Sequence, residues 1–410
     1  MTTASTDAQG DRAGAPAADW VGSAAGLLPH DGTRGTLVGR VFDPAVGGPS
    51  PVVVTDDGVF DISPSFALTR DLFETDDPAA AARAALAAAD RLGSLDDVVA
   101  NTPRERRDAR KPWLLAPVDL QALKAAGVTF AVSMIERVIE ERVKGDAAAA
   151  NELRASILSE IGADLHTLKP GSAEAMALKK YLTKEGLWSQ YLEVGIGADA
   201  EIFTKGSALS AVGAAGQVGV LSTSTWNNPE PEVALIIDSR ARVVGATLAN
   251  DVNLRDVEGR SALLLPKAKD NNASCGLGPF IRLFDDTLDL ATVRTLTVTL
   301  EVDGLDGFHL SGSSEMRQIS RDPLDLVAQL MGPHHQYPDG AVLMLGTMFA
   351  PVDDRDTVGL GFTHKVGDVV RISSAELGSL VNQVETSERC DPWQFGVASL
   401  MRNLAARRLL

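Results

Sequence analysis

Apolar positions along this 410-residue chain gather mainly into short β-branched runs broken by turn residues, with helical stripes confined to one stretch. Residues 36–41 (TLVGRV) and 51–54 (PVVV) read as strands, and Asp56-Asp57-Gly58 turns the chain into Val59-Phe60. They predict a small β-rich N-terminal domain. An alanine-rich segment, 77–92, follows, and the charged stretch 102–111 reads as a linker, so residues 19–111 are assigned to the small domain with its linker and 112–410 to a larger one. Residues 1–18 are small and polar, have little to bury, and are expected to be a disordered tail.

Within the larger domain, residues 132–143 carry helical periodicity, supported by Arg137 with Glu141 and Glu140 with Lys144 at i,i+4 spacing. A second helical region spans 151–186. Strands are then predicted at 191–194, 218–222, 233–237 and 243–248. A hairpin joins 296–302 to 308–310 through residues 303–307, and further strands fit 341–345, 369–372 and 380–384. This irregular order predicts an α+β fold rather than a regular βαβ alternation.

The densest chemistry lies where one of these strands begins. Pro229-Glu230-Pro231-Glu232 precedes the apolar run 233–237, a second apolar run ends in Asn250-Asp251, and Lys269 follows. In an extended segment residues i and i+2 share a face, so Glu230 and Glu232 present both carboxylates to one side. Proline lacks the N–H a ladder needs, so the segment should begin a strand or lie on an exposed rim, where a metal meets solvent and substrate. A Glu-x-Glu pair alone is equally a solvated strand end. Asn250-Asp251, at the end of a second strand, is what favours a hard divalent cation.

Charge narrows the partners. Lys and Arg total 38 against 55 Asp and Glu, a net charge of −17 that opposes binding to nucleic acid or to a membrane surface. Anionic substrates stay open, because a metal and a few buried lysines reverse the local field. No apolar run approaches the roughly 20 residues that span a bilayer, and no basic segment followed by an apolar one resembles a leader, so a cytoplasmic protein is expected. Cys275 and Cys390 do not make a disulfide framework and receive no role.

Other motifs weigh less. Gly195-x-Gly197-x-x-Ala200 follows the predicted strand 191–194, but no acid lies about 20 residues on and no helix is predicted after it, so a turn is expected rather than a dinucleotide site. There is no P-loop, no His-Glu-x-x-His and no Cys-x-x-Cys pair. His334-His335 sit in a polar loop pinned by Pro333 and Pro338, which fits a substrate contact and a structural loop equally. By local context, Glu136 is a solvated helix position, and Lys205, Lys267 and Lys269 are surface lysines.

Taken in order, Glu230-x-Glu232, Asn250-Asp251-Val252-Asn253-Leu254-Arg255-Asp256, Ala268-Lys269-Asp270, Gly278-Pro279-Phe280, Leu345-Gly346-Thr347 and Val366-Gly367-Asp368 resemble the fumarylacetoacetate hydrolase superfamily. The resemblance covers about residues 112–410. It implies a mixed β-sandwich roll as the catalytic domain, Mg2+ or Mn2+ held by Glu230, Glu232 and Asp251, and a homodimer or homotetramer. Hydrolytic members carry Gly-x-Asn-Tyr-x-x-His-x-x-Glu, where this chain has Gly127-Val128-Thr129-Phe130-Ala131-Val132-Ser133-Met134-Ile135-Glu136. Ser133 replaces the histidine, and serine does not serve unaided as a base near neutral pH. Glu136 is retained.

Within the superfamily the chain looks most like the 2-keto-3-deoxy-pentonate dehydratases, on passages that include Trp188-Ser189-Gln190-Tyr191-Leu192-Glu193, Trp226-Asn227-Asn228-Pro229 and His335-Gln336-Tyr337-Pro338-Asp339-Gly340. That likeness implies a hydro-lyase acting on a keto sugar acid, with a metal polarising the 2-keto group. A hydrolase of acylpyruvates or other β-diketones is the alternative. Lys269 and Glu136 are the expected acid and base, in either assignment, with Lys269 a base if its pKa is depressed. Ser133, Lys205, Arg255, Thr347 and His335 are the expected substrate contacts.

Overall fold

A computed structural model describes residues 19–130, 134, 168–184, 186, 188–347, 349, 354–356 and 361–410. The expected tail 1–18, the helix expected over 132–143, Ser133 and Glu136 lie outside the described residues. So do residues 151–167 and 185 of the second helical region, of which the helix Ala173–Lys184 is seen.

Strands in chain order are β1 (Leu37–Asp43), β2 (Gly48–Thr55), β3 (Gly58–Asp61), β4 (Asp90–Gly93), β5 (Trp113–Leu115), β6 (Ala122–Gly127), β7 (Glu201–Gly206), β8 (Gln217–Val220) and β9 (Asn227–Asn228). They continue with β10 (Pro231–Ile237), β11 (Val243–Asp251), β12 (Asn253–Leu254), β13 (Cys275–Leu283), β14 (Thr297–Asp303), β15 (His309–Glu315), β16 (Ala341–Met344), β17 (Val369–Ser374) and β18 (Gly378–Thr386). One large sheet runs β4-β3-β2-β1-β13-β11-β10-β16-β6-β7, with β5 also on β1; a second runs β15-β14-β17-β18-β8. Most pairings are antiparallel, whereas β16–β6 and β18–β8 are parallel, so both sheets are mixed. The architecture is mixed α and β, dominated by these sheets.

The two sheets face each other, with β13, β10 and β11 of the first against β18, β14 and β17 of the second. Strand periodicity explains how β10 sits between two apolar layers. Val233, Leu235 and Ile237 join the layer shared with Leu300, Ile372 and Leu380, while Ala234 and Ile236 turn to a second layer with Val342, Met344 and Leu277. Each Val, Leu or Ile so buried contributes about 1.5–3 kcal/mol relative to exposure. This double-sided burial fixes the register of β10 and therefore where its charged end lies.

Two expectations meet different outcomes here. Residues 191–194, predicted as a strand, lie in the helix Gln190–Ile196 instead. Ser189 caps that helix by accepting from Leu192 N, and Leu192 and Ile196, four apart, are its buried stripe. The N-terminal strands are also not a sheet apart. β1 pairs with β13 through Leu37↔Arg282 and Val38↔Ile281, and buried Arg282 is held by Asp31 at 2.6 Å. Arg40, buried on β1, donates to the carbonyls of Ala116 and Val118, beyond the linker. Among the described residues no helix is long and apolar enough to cross a membrane.

Candidate active site

The antiparallel pairing of β10 with β11 places the start of one strand against the end of the other: Pro231 faces Asn250 and Glu232 faces Ala249. Glu230 and Glu232 therefore meet Asp251, and the carbonyl of Glu230 accepts from Asp251 N at 3.0 Å. One oxygen from each of the three carboxylates lies within 4.8 Å of the others. The strand begins at Pro231 as expected, but not on an exposed rim. β10 is flanked by β11 and β16, and Glu230 and Glu232 retain only 5% and 3% exposure. Burial is what makes the cluster unlike a solvated strand end.

The helix Leu265–Lys269 delivers a buried lysine to this cluster. Lys269 Nζ donates to Glu230 Oε2 and, at 3.0 Å, to Asp251 Oδ2. Gly346, just past β16, donates its N–H to Glu232 Oε2 at 2.7 Å, and its neighbour Thr347 lines the same cavity. Burial first, then the charges of Asp251 and Glu230, push the Glu232 carboxyl well above its ordinary range. For Lys269, burial favours the neutral amine, but Asp251 and then Glu230 outweigh it and raise the pKa. Lys269 is thus held as an ammonium in this arrangement. Of the two roles expected for Lys269, offsetting negative charge or taking a proton with a depressed pKa, the two flanking carboxylates favour the first.

Could these residues hold a cation? Glu230, Glu232 and Asp251 oppose two ammonium groups, Lys205 and Lys269, and half-buried Glu258 lines the same cavity. Carboxylates gathered this closely repel one another, and a divalent cation between them would offset that repulsion. Asp251 Oδ1 is buried and accepts no hydrogen bond, although Lys205 Nζ lies 2.7 Å away as an ion-pair partner. The enclosed space, about 40 Å³, takes an ion with a water or two. All-oxygen donors gathered in one buried cluster fit a hard metal such as Mg2+.

The remaining expected residues divide. Lys205 is fully buried and spends its ammonium on Asp251 Oδ1, Val252 O at 2.9 Å and Lys269 O. It braces the cluster rather than reaching a substrate, and neither Lys205 nor Lys269 is the surface lysine that base rates favour. Lys267 is exposed. Arg255 is buried with its guanidinium 4.3 Å over the Trp226 ring, and does not line the cavity. His335 is exposed, packs edge-on against Tyr337, and belongs to a loop that feeds the start of β16. The carboxylates lie at the other end of that strand, beside Gly346, so His335 is not brought to them.

Sequence reasoning missed Asn253 and Glu258. Asn253 Nδ2 donates to Glu230 Oε1 at 3.0 Å and to Glu258 Oε2 at 2.6 Å. Asn253 stands two residues after Asp251, at the start of β12, where the chain leaves the large sheet. Glu258 had no signal, because it ends a single helical turn, Arg255–Glu258. Tyr191, Glu201 and Phe203 also line the cavity, brought there by the helix Gln190–Ile196 and by β7.

Sequence and fold both have described relatives. Residues 199–385 match the family described as Fumarylacetoacetate (FAA) hydrolase C-terminal. More particular relatives share it. The 2-dehydro-3-deoxy-D-arabinonate dehydratase of Saccharolobus solfataricus is 31% identical over 185 residues, 45% of this chain and 58% of that protein, so the match spans less than two thirds of that relative. The probable 2-keto-3-deoxyxylonate dehydratase of Haloferax volcanii is 27% identical over 274 residues, 64% of this chain and 89% of that one. A solved 2-keto-3-deoxy-D-arabinonate dehydratase, complexed with magnesium and 2,5-dioxopentanoate, shares the fold with a TM-score of 0.59 at 20% identity, over 85% of this chain and 99% of that one.

Proposed function

We propose that this protein is a Mg-dependent hydro-lyase that converts a 2-keto-3-deoxy-pentonate, derived from D-xylonate or D-arabinonate, to 2,5-dioxopentanoate and water. The observation that carries the reading is the buried triad Glu230, Glu232 and Asp251, with the Lys269 ammonium hydrogen-bonded to two of its members. The names of the two curated relatives support it. A divalent cation held by the triad supplies Lewis acidity, which polarises a 2-keto acid and acidifies its C3 protons.

The chain's own groups account for the rest. Lys269, kept positive by its neighbours, offsets negative charge that develops on the keto oxygen as a C3 proton leaves. Loss of the C4 hydroxyl as water, with a proton from a general acid, completes the elimination. Tautomerisation then moves the double bond to C4–C5 and leaves the C5 aldehyde. Glu136 is the proposed partner in proton transfer, with Ser133 and Thr347 beside the substrate. In Lys205 we see a residue that holds Asp251 and the backbone of Val252 and Lys269 in place. The same reading carries a cytoplasmic homodimer or homotetramer, whose mass light scattering would give.

Incubation of the protein and Mg2+ with both keto-deoxypentonates and with an acylpyruvate, followed by mass analysis, tests the reading. Formation of 2,5-dioxopentanoate is expected; cleavage of the acylpyruvate into two smaller acids, with the keto acids untouched, would replace dehydration by hydrolysis. Glu232→Gln should abolish Mg-dependent turnover yet leave the metal-free melting temperature unchanged or higher, since it removes a buried like charge.

A further inference from the structure

Another cavity, of about 560 Å³, lies away from the carboxylates, where the N-terminal strands meet the C-terminal segment. Strand pairing builds its floor. In the antiparallel pair β1–β5, Arg40 faces Leu115 and Phe42 faces Trp113; residues two apart or directly opposite share a face, so all four side chains turn to the cavity. The alternate residues Val41 and Leu114 join the apolar core behind them. The rim is aromatic. Phe42 stacks on Trp113 with ring centroids 4.5 Å apart, Phe395 meets Phe42 edge-on at 6.2 Å, and Trp393 stays 48% exposed. Faces and edges so displayed suit a further planar ring.

Local charge on this wall runs against that of the whole chain. Arg40, Arg104 and Arg107 border the cavity against one acid, Asp391, in a protein of net charge −17. Arg104 and Arg107 hold Asp391 at 3.1 and 3.3 Å. Arg40 has no carboxylate of its own. It is 4% exposed, its Nη1 donates to the carbonyls of Ala116 and Val118, and its Nε–Nη2 edge has no partner among the described residues. Asp119 acts on it from farther off, and the Asp119 oxygens already accept from the N–H groups of Thr69, Arg70 and Leu120. A guanidinium edge of that kind offers two parallel N–H groups, the fork that a carboxylate accepts, and burial makes an unpaired charge there costly. Nothing at the cavity is poised to react. Among the described residues no His, Lys or Glu borders it, and burial pushes the Cys390 thiol up to about 12.

We propose that this cavity binds an aromatic carboxylate, with the carboxylate forked on Arg40 and the ring set among Phe42, Trp393 and Phe395. The site is independent of the dehydratase reading, since none of these residues borders the acidic cavity.

The test measures, by calorimetry, the affinity of the full-length protein for 2-naphthoate and for its uncharged isostere 2-naphthamide, with and without Mg2+. One naphthoate should bind per chain, about 10- to 100-fold more tightly than the amide, the range for hydrogen bonds to a charged group, and equally well without the metal. Arg40→Met should bring that ratio to about 1. Trp393→Ala changes an exposed residue and should weaken naphthoate binding about 3- to 10-fold through the lost ring contact, with the melting temperature kept. Leu115→Trp should abolish binding by filling the space. Equal affinity for acid and amide in the wild type, or undiminished binding in both Trp393→Ala and Leu115→Trp, would overturn the proposal. So would no binding at all, or binding that requires Mg2+, which would place the acid at the carboxylate cluster. Loss of an oligomer in Trp393→Ala, read by light scattering, with naphthoate still bound as tightly as by the wild type, would make this face an interface between copies instead.

Discussion

Lys205 and Lys269 are both lysines near acidic groups, yet their surroundings give them different work. Lys269 lines the cavity, whereas Lys205 is sealed behind its ion pair with Asp251 and its two carbonyl acceptors. Replacing Lys205 by Met should cost about 3–5 kcal/mol, the range for stripping one partner from a buried ion pair, and chemical denaturation would measure it. A loss below about 1 kcal/mol would contradict the bracing role. His364 offers a pH test away from the carboxylates. Its ring packs edge-on against Phe362, and Nδ1 lies 3.2 Å from Asp368 Oδ2, itself bound by Arg355. Burial lowers the His364 pKa more than Asp368 raises it. A depressed pKa means stability that is complete above the unfolded value of about 6.5 and is lost as pH falls through the folded one. The fall in melting temperature between pH 7.5 and 5 should therefore be shallower in His364→Gln than in the wild type.

At the scale of elements, the site is made where three strands end together. β10 starts, β11 finishes and β16 finishes at the same edge, and the turn after β16 points a backbone N–H at Glu232. That turn needs glycine: Gly346 has φ of +90°, and a Cβ there would lie 2.0 Å from Thr129 Oγ1 and 2.9 Å from Ala126 O. Gly346→Ala should destabilise the protein by about 1–3 kcal/mol and weaken the rise in melting temperature that Mg2+ produces. Differential scanning calorimetry with and without the metal would read both. The strands themselves were legible, because β10 and β11 are apolar on both faces and bounded by Pro, Asn and Asp. The helix Gln190–Ile196 was not: four residues ending in valine look extended until Ser189 is recognised as a cap and Leu192 and Ile196 as one buried stripe.

Across the whole molecule, one sheet joins the N-terminal strands to those that carry the site. Residues 112–410 alone would bare the edge of β13 and strand Arg282 without Asp31. A chain beginning at Pro112 is therefore expected to aggregate or to melt without a cooperative transition, as circular dichroism on heating would show. A stable, cooperative fragment would make the N-terminal strands an ornament. What the sequence by itself determined is the local pattern: that most of the apolar runs are strands and that Glu230, Glu232 and Asp251 lie at their ends, because alternation and proline are properties of neighbouring residues, while Lys269 was grouped with them only through the order of motifs in the family resemblance. Only the tertiary structure decided that these carboxylates are buried, that Lys205 braces Asp251 instead of a ligand, that His335 lies at the wrong end of β16, and that Asn253 ties Glu258 to Glu230. Those facts depend on which strands lie beside each other, and charge in a low-dielectric cluster acts through space between residues far apart in the chain.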